Sequence, residues 1–407
     1  MGRFTRIFLG LIIVLLHSSF TGAEIPLGEK EKIPETVKEK VAALYPEAKK
    51  IKWKKSNGKF KADFSIEGKK IKLLMDKKGE VLKSVREISE KHLPVEIQEH
   101  LNKRDTTLRN IQAKELQVKS KVEFEIKGIT LSTKEKFKFG PKGQILKSKI
   151  KNLKHKQLSF YSQKWALPPI LLEVSGISLI NDSLMACVQD ELGVIYIYDL
   201  KNSKIADEIP FAGPGDYEGI AVVENDCWAM RSDGMFYKVS DFLKADFQVD
   251  SFFFHLEKKE QDFEGLCYDK AHNRLLIVPR AFDTFGQTIK GIYSFNLKAE
   301  KFYTHPVYTI DMNSPVFPKS ERKKNKDVAL PSGIAINPKN NNLYITDAYR
   351  FQMLIMNRKG ELIDRIKLNP EVFEQAEGII FTDDGDVYIS SEGVESPGKI
   401  FRIDNFK

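Results

Sequence analysis

Residues Asp216-Tyr217-Glu218-Gly219-Ile220-Ala221-Val222-Val223 (DYEGIAVV) decide the fold, because the chain repeats them. Working outward, the same opening recurs as Val174-Ser175-Gly176-Ile177-Ser178, Phe263-Glu264-Gly265-Leu266-Cys267, Pro331-Ser332-Gly333-Ile334-Ala335 and Ala376-Glu377-Gly378-Ile379-Ile380. The glycines stand 43, 46, 68 and 45 residues apart. After each opening comes a turn rich in Asn, Asp or Gly. A strand-like run follows (LMACVQD, DCWAMRS, RLLIVPR, NLYITDA, DVYISSE), then a third (VIYIYDL, MFYKVSD, GIYSFNL, QMLIMNR, KIFRID). A period near 45 residues built of short strands is the mark of propeller blades. Five blades are expected, or six if a weakly marked one lies in the 68-residue interval, where the basic loop 318–327 reads as an insertion. The last unit stops after three strands, so residues 157–165 are expected to supply its fourth and close the circle.

These openings, with VQDELGVIYIYDL and LPSGIAINPKNNNLYITD, resemble the SdiA-regulated family of exported propellers over residues 165–405. NHL-repeat and phytase-like propellers are more loosely similar. The resemblance implies a propeller with a binding or unassigned enzymatic role and fixes no reaction.

The 407 residues carry 65 basic and 56 acidic side chains, a net +9 with pI near 9.0. By segment the charge is about +2 over residues 1–23, about +16 over 24–160 and about −9 over 161–407. A basic module therefore precedes an acidic one. Arg3 and Arg6, the apolar run Ile7–Leu16 and the small residues Thr21-Gly22-Ala23 read as a signal peptide over 1–23. The mature chain then has no transmembrane segment, and a periplasmic, extracellular or surface-associated place is expected, peripheral membrane association included.

Residues 24–155 contain a duplication, 33–90 and 93–152. Each copy begins with Ile-Pro or Leu-Pro, then a helical spacing (Val37, Val41, Leu44, Tyr45 in the first), then alternating strands. Ile33, Pro34, Val37, Tyr45, Pro46, Ala48, Trp53, Gly58, Phe60, Ala62, Phe64 and Gly79 resemble PepSY-like domains, described as similar to β-lactamase-inhibitory proteins. The second copy lacks the Tyr-Pro and the Trp. The resemblance implies a small binding or inhibitory module. The expected fold is multidomain, a tandem PepSY-like α+β module followed by an all-β propeller over 157–407. Lysines alternating with apolar residues (Lys50, Lys52, Lys54; Lys70, Lys72) put charge on one strand face. That face reads as solvated, or as a surface for an anionic small molecule, polysaccharide or partner protein. The leader and the lack of any helix-turn-helix, zinc-finger or RNP pattern argue against nucleic acid.

In a propeller the residue before each repeat glycine points into a shared ring: Ser175, Glu218, Glu264, Ser332 and Glu377. The ends of the second strands reach the same face with Gln189, Asp190, Arg231, Arg280, Asp347, Arg350, Ser390 and Glu392. Glu218, Glu264 and Glu377 would repel one another unless protonated or bound to a cation, and oxygen donors suit Ca²⁺. Ser175, Asp190, Arg231, Arg280, Ser332, Asp347, Arg350 and Glu392 would then surround a ligand. The alternative is that the glutamates pair with Arg231, Arg280 and backbone N–H groups and tie blades together. Three functions stay open: ligand, cation or partner binding at this face; Ca²⁺-dependent hydrolysis of phosphate or carboxyl esters; and inhibition of an envelope enzyme by the N-terminal module. No GxSxG, HExxH, Walker loop or strand-borne GxGxxG is present. Cys187, Cys227 and Cys267 lie in apolar runs without metal spacing, so buried packing is expected, with at most one disulfide.

Overall fold

The computed structural model describes residues 33–104, 106–256, 262–280, 288–324, 328–394 and 396–406. The leader expected at residues 1–23, and part of the loop 318–327, lie outside them.

By compactness the chain divides into two units, 1–88 with 114–123 and 89–113 with 124–407. In the first unit, the helix Glu35–Leu44 turns Val37 and Val41 inward. The strands Lys59–Ile66 and Lys69–Met75 pair antiparallel, and their period-2 burial aims Phe60, Ala62, Phe64, Ile71, Leu73 and Met75 at that helix.

The second unit joins the second copy to the propeller, a grouping that the charge boundary near residue 155 did not foretell. The helix Val95–Asn102 buries Ile97 and Leu101. The strands Lys121–Ile129, Thr133–Phe139 and Ile145–Asn152 pair antiparallel from Phe124 onward. The turn at Thr130 explains the grouping. Leu131 O accepts from Gln157 N, Arg109 donates to Asp404 O at 2.6 Å, and Ile129 and Leu131 pack on a core containing Leu158, Phe160 and Phe401.

The propeller has five blades of antiparallel strands. Their inner strands are Val174–Leu179, Tyr217–Val223, Phe263–Asp269, Gly333–Ile336 and Ala376–Phe381. The second strands, such as Leu184–Gln189, are buried on both faces because each is sandwiched between blades. That is why they read as continuous apolar runs. Outer strands, such as Lys204–Pro210, alternate and face solvent. Five apolar clusters lie one between each adjacent pair of blades; that between the first two, for example, joins Ala186, Val188, Ile195 and Ile197 to Ile220, Cys227 and Ala229. All three cysteines are free and buried in these clusters.

The 68-residue interval holds no sixth blade among its described residues. It is taken up by the long strand Lys301–Asp311 and the short helix Lys319–Lys324. The fifth blade closes as the sequence implied: Gln163–Ala166 pairs antiparallel with Lys399–Ile403, Trp165 opposite Ile400. The pair Gln157–Leu158 adds instead a parallel fifth strand to the fourth blade. No described helix is long and apolar enough to cross a membrane.

Candidate functional site: a carboxyl ring at the channel mouth

The repeat glycines are set by close approach. A Cβ on Gly333 would lie 2.4 Å from Glu377 O, and one on Gly378 would lie 2.6 Å from Ser175 O. Only a residue without a side chain lets adjacent inner strands come this near. The throat they line encloses about 10 Å³, room for about one water.

Just above the throat the ladder slips. Tyr217 pairs with Arg231 and Gly219 with Met230; Phe263 pairs with Pro279 and Gly265 with Val278. Glu218 and Glu264 are thus the extra residues of β-bulges. Similar slips fall between Val174 and Ile177 and between Ala376 and Ile379, around Ser175 and Glu377. A bulge re-aims a side chain out of the pleat, and here it turns these residues toward the axis.

Glu264 is fully buried and Glu377 is 3% exposed. Arg280 Nη2 stands 2.5 Å from Glu264 Oε2, an ion pair not aligned as a hydrogen bond. The Arg280 guanidinium also lies 5.6 Å from the centre of the exposed Tyr349 ring. Burial opposes the charge on Arg280, but Glu264 and Asp262 hold the guanidinium more firmly protonated than usual. Gln375 Nε2 donates to Glu392 Oε2. Glu377 Oε2 and Asp190 Oδ1 are buried with no hydrogen-bond partner among the described residues.

Several carboxyls facing one guanidinium cannot all ionise. Burial, then Asp216 and Glu377, pushes Glu218 up to about 9. Burial, then Glu377 and Asp190, raises Glu392 to about 8. Glu377 reaches about 7, mainly through burial, with Arg280 opposing. Asp190 rises to about 6 through burial and then Glu173. Glu264 is raised well above the usual range by burial and by Glu218. Near neutral pH the ring therefore holds protons as well as charges.

The other expected site residues have different duties. Asp347 is fully buried and accepts from Leu330 N, Arg350 N and Gln352 Nε2 at 2.7–2.9 Å, so it clamps a loop. Ser332 Oγ donates to Ala376 O at 2.8 Å and fastens two inner strands together. Ser175 Oγ points to Glu173 O at 3.4 Å. Arg231 is drawn to Asp233, and Arg350 lines a separate hollow with Glu321, Arg365 and Lys367. Sequence reading missed Glu173, Asp216, Asp262 and Gln375, although a signal was present. Each stands two residues before the Ser or Glu of its opening, as in Asp-x-Glu-Gly at 216–219 and 262–265.

The donor chemistry would suit Ca²⁺, but no three His, Cys, Asp or Glu side chains among the described residues are grouped to hold a metal ion. Arg280 already supplies the positive charge beside Glu264.

The fold and this ring define a five-bladed β-propeller with a carboxyl-lined, closed-throat mouth. No family profile and no curated protein matches the chain. Among solved structures, the glutaminyl cyclase of Myxococcus xanthus is 13% identical over 60% of this chain and 94% of its own, with a TM-score of 0.42. A Bacteroides eggerthii protein described as periplasmic is 17% identical over 29% of this chain and 89% of its own, TM-score 0.26. A BLIP-like protein from Bacteroides fragilis is 17% identical over 32% and 93%, TM-score 0.25. Likenesses this low assign no activity to the chain.

Proposed function

We propose that this is an exported binding protein whose propeller mouth takes a protonated amine. One observation carries the reading: among the described residues Glu377 Oε2 and Asp190 Oδ1 are buried acceptors without a hydrogen-bond partner, in a ring where Arg280 pairs with Glu264. An ammonium group offers the donors and the charge these oxygens lack. It would displace protons from the ring as it enters. Export rests on the leader-like residues 1–23, and a binding role agrees with the SdiA-regulated resemblance. The PepSY-like resemblance adds a protein-interaction role for the N-terminal copies.

Calorimetric titration with spermidine tests this. Proton release should accompany binding, and affinity should rise between pH 6 and 9 as the ring ionises. Glu377→Gln combined with Glu218→Gln should weaken binding at least about tenfold, given about 1.4 kcal/mol per decade. Binding that ignores both pH and the double variant sinks the proposal. A parallel calcium titration decides between the occupants: tight calcium binding lost in the same variant favours the ion over the amine.

A further inference from the structure

The second copy carries a lysine lattice that the propeller reading does not use. In the strands Thr133–Phe139 and Ile145–Asn152, Lys134 pairs directly with Lys151, Lys136 with Lys149 and Lys138 with Lys147. Lys127, on the strand before them, pairs with Lys136. A row of three lysines, Lys127, Lys136 and Lys149, therefore crosses three strands. Like charges directly opposite one another weaken a sheet. Glu125 relieves part of this, at 2.6 Å from Lys136 and 3.7 Å from Lys127. Among the described residues Lys134, Lys149 and Lys151 have no acidic partner.

A merely solvated face would be expected to look alike in both copies, and it does not. The matching strands of the first copy pair Ile71 with Arg86, Lys72 with Val85 and Leu74 with Lys83. The row crossing its first three strands, Lys52, Asp63 and Lys72, has an acid at its centre. The second copy has kept lysines where the first alternates charge.

The lattice lines a groove of about 430 Å³, to which Asn110 and Gln112 add side-chain amides. Lysines repeat at about 7 Å along each strand and about 5 Å between strands. We propose that this groove binds a linear anionic polysaccharide, a chain with one acidic group per sugar. Its charges meet the lysine rows and its hydroxyls meet the amides. A flat membrane surface fits a groove less well; Gly128, Ile129 and Glu135, the last paired with Arg104, complete the lining between the lysines. The inference is independent of the propeller mouth.

The test uses the full chain with polygalacturonate as probe and neutral dextran as control. Binding to polygalacturonate alone is expected, falling at least tenfold in 0.5 M salt as screening shortens the reach of the charges. Lys134→Gln/Lys149→Gln/Lys151→Gln should reduce it at least tenfold. The same variant should unfold at higher urea than the parent, because the opposed charges are gone, which also shows that it folds. Lys50→Gln/Lys52→Gln/Lys54→Gln, in the first copy, should leave binding within twofold. Equal losses in the two triple variants would reduce the effect to bulk charge and overturn the proposal. So would tighter binding to phosphatidylglycerol vesicles or to single-stranded DNA than to polygalacturonate.

Discussion

Replacing Glu377 by Gln should change stability in a way that depends on pH. Glu377 is 3% exposed and holds its proton in the folded chain up to about 7, whereas an ordinary glutamate releases it near 4.5. Between those values the native state binds more protons than the unfolded chain, so this residue lowers stability as pH rises. The loss is absent below 4.5 and complete above 7, where the difference corresponds to about 3 kcal/mol. Glutamine keeps the shape and the hydrogen-bonding reach but cannot ionise. Glu377→Gln should therefore be near neutral at pH 4 and stabilising by about 3 kcal/mol at pH 8. Urea unfolding followed by intrinsic fluorescence at both pH values reads this directly, through the midpoint at unchanged slope. A gain of the same size at both pH values would show that packing, not ionisation, is responsible. A loss at pH 8 would refute the reasoning outright, because it would mean that the folded chain favours the charged carboxylate.

Three further outcomes follow from the same geometry. Gly333→Ala puts a Cβ 2.4 Å from Glu377 O, on a backbone that cannot swing aside, and should cost about 1–3 kcal/mol in urea unfolding. Asp347→Ala strands the amides of Leu330 and Arg350 and the side chain of Gln352, and should destabilise by about 3 kcal/mol, visible as a lower melting temperature. Burial pushes the thiols of Cys187, Cys227 and Cys267 far up, so a thiol reagent should label none of them in the native chain and all three in denaturant.

The propeller was legible because its repeat is a backbone requirement written into side chains. Glycines mark where inner strands touch, and unbroken apolar runs mark strands sandwiched between blades. The bulges at Glu218 and Glu264 were not legible, since a bulge is a property of two strands' register and neither strand states it alone. The two kinds of acid at the mouth were also hidden. Asp347 and Glu392 both end second strands, yet one is consumed by loop amides and the other joins the ring. Nothing in sequence spacing separates them, because the difference lies in which loop folds back. Alternation of lysines was read on the first copy alone, at Lys50, Lys52, Lys54, Lys70 and Lys72, and the pairing of Lys136 with Lys149 on the second required the register.

The strand that closes the fifth blade has a consequence for how the molecule forms. Trp165 meets Ile400, and its indole N–H donates to Leu200 O at 2.7 Å. Trp165 and Ile400 are separated by most of the propeller's chain, so the closing strand pair has one of the longest loops in the fold. It cannot form until residues 399–403 have been made and delivered, so a chain still emerging waits with its first four blades built and a gap in the ring. Closure is then the slow, late event expected of distant strand pairing. During that interval the free edge is a place where a second chain could insert its own 399–403 strand, giving an exchanged dimer. The stability of the finished ring and its exposure to misassembly thus come from the same four-residue strand.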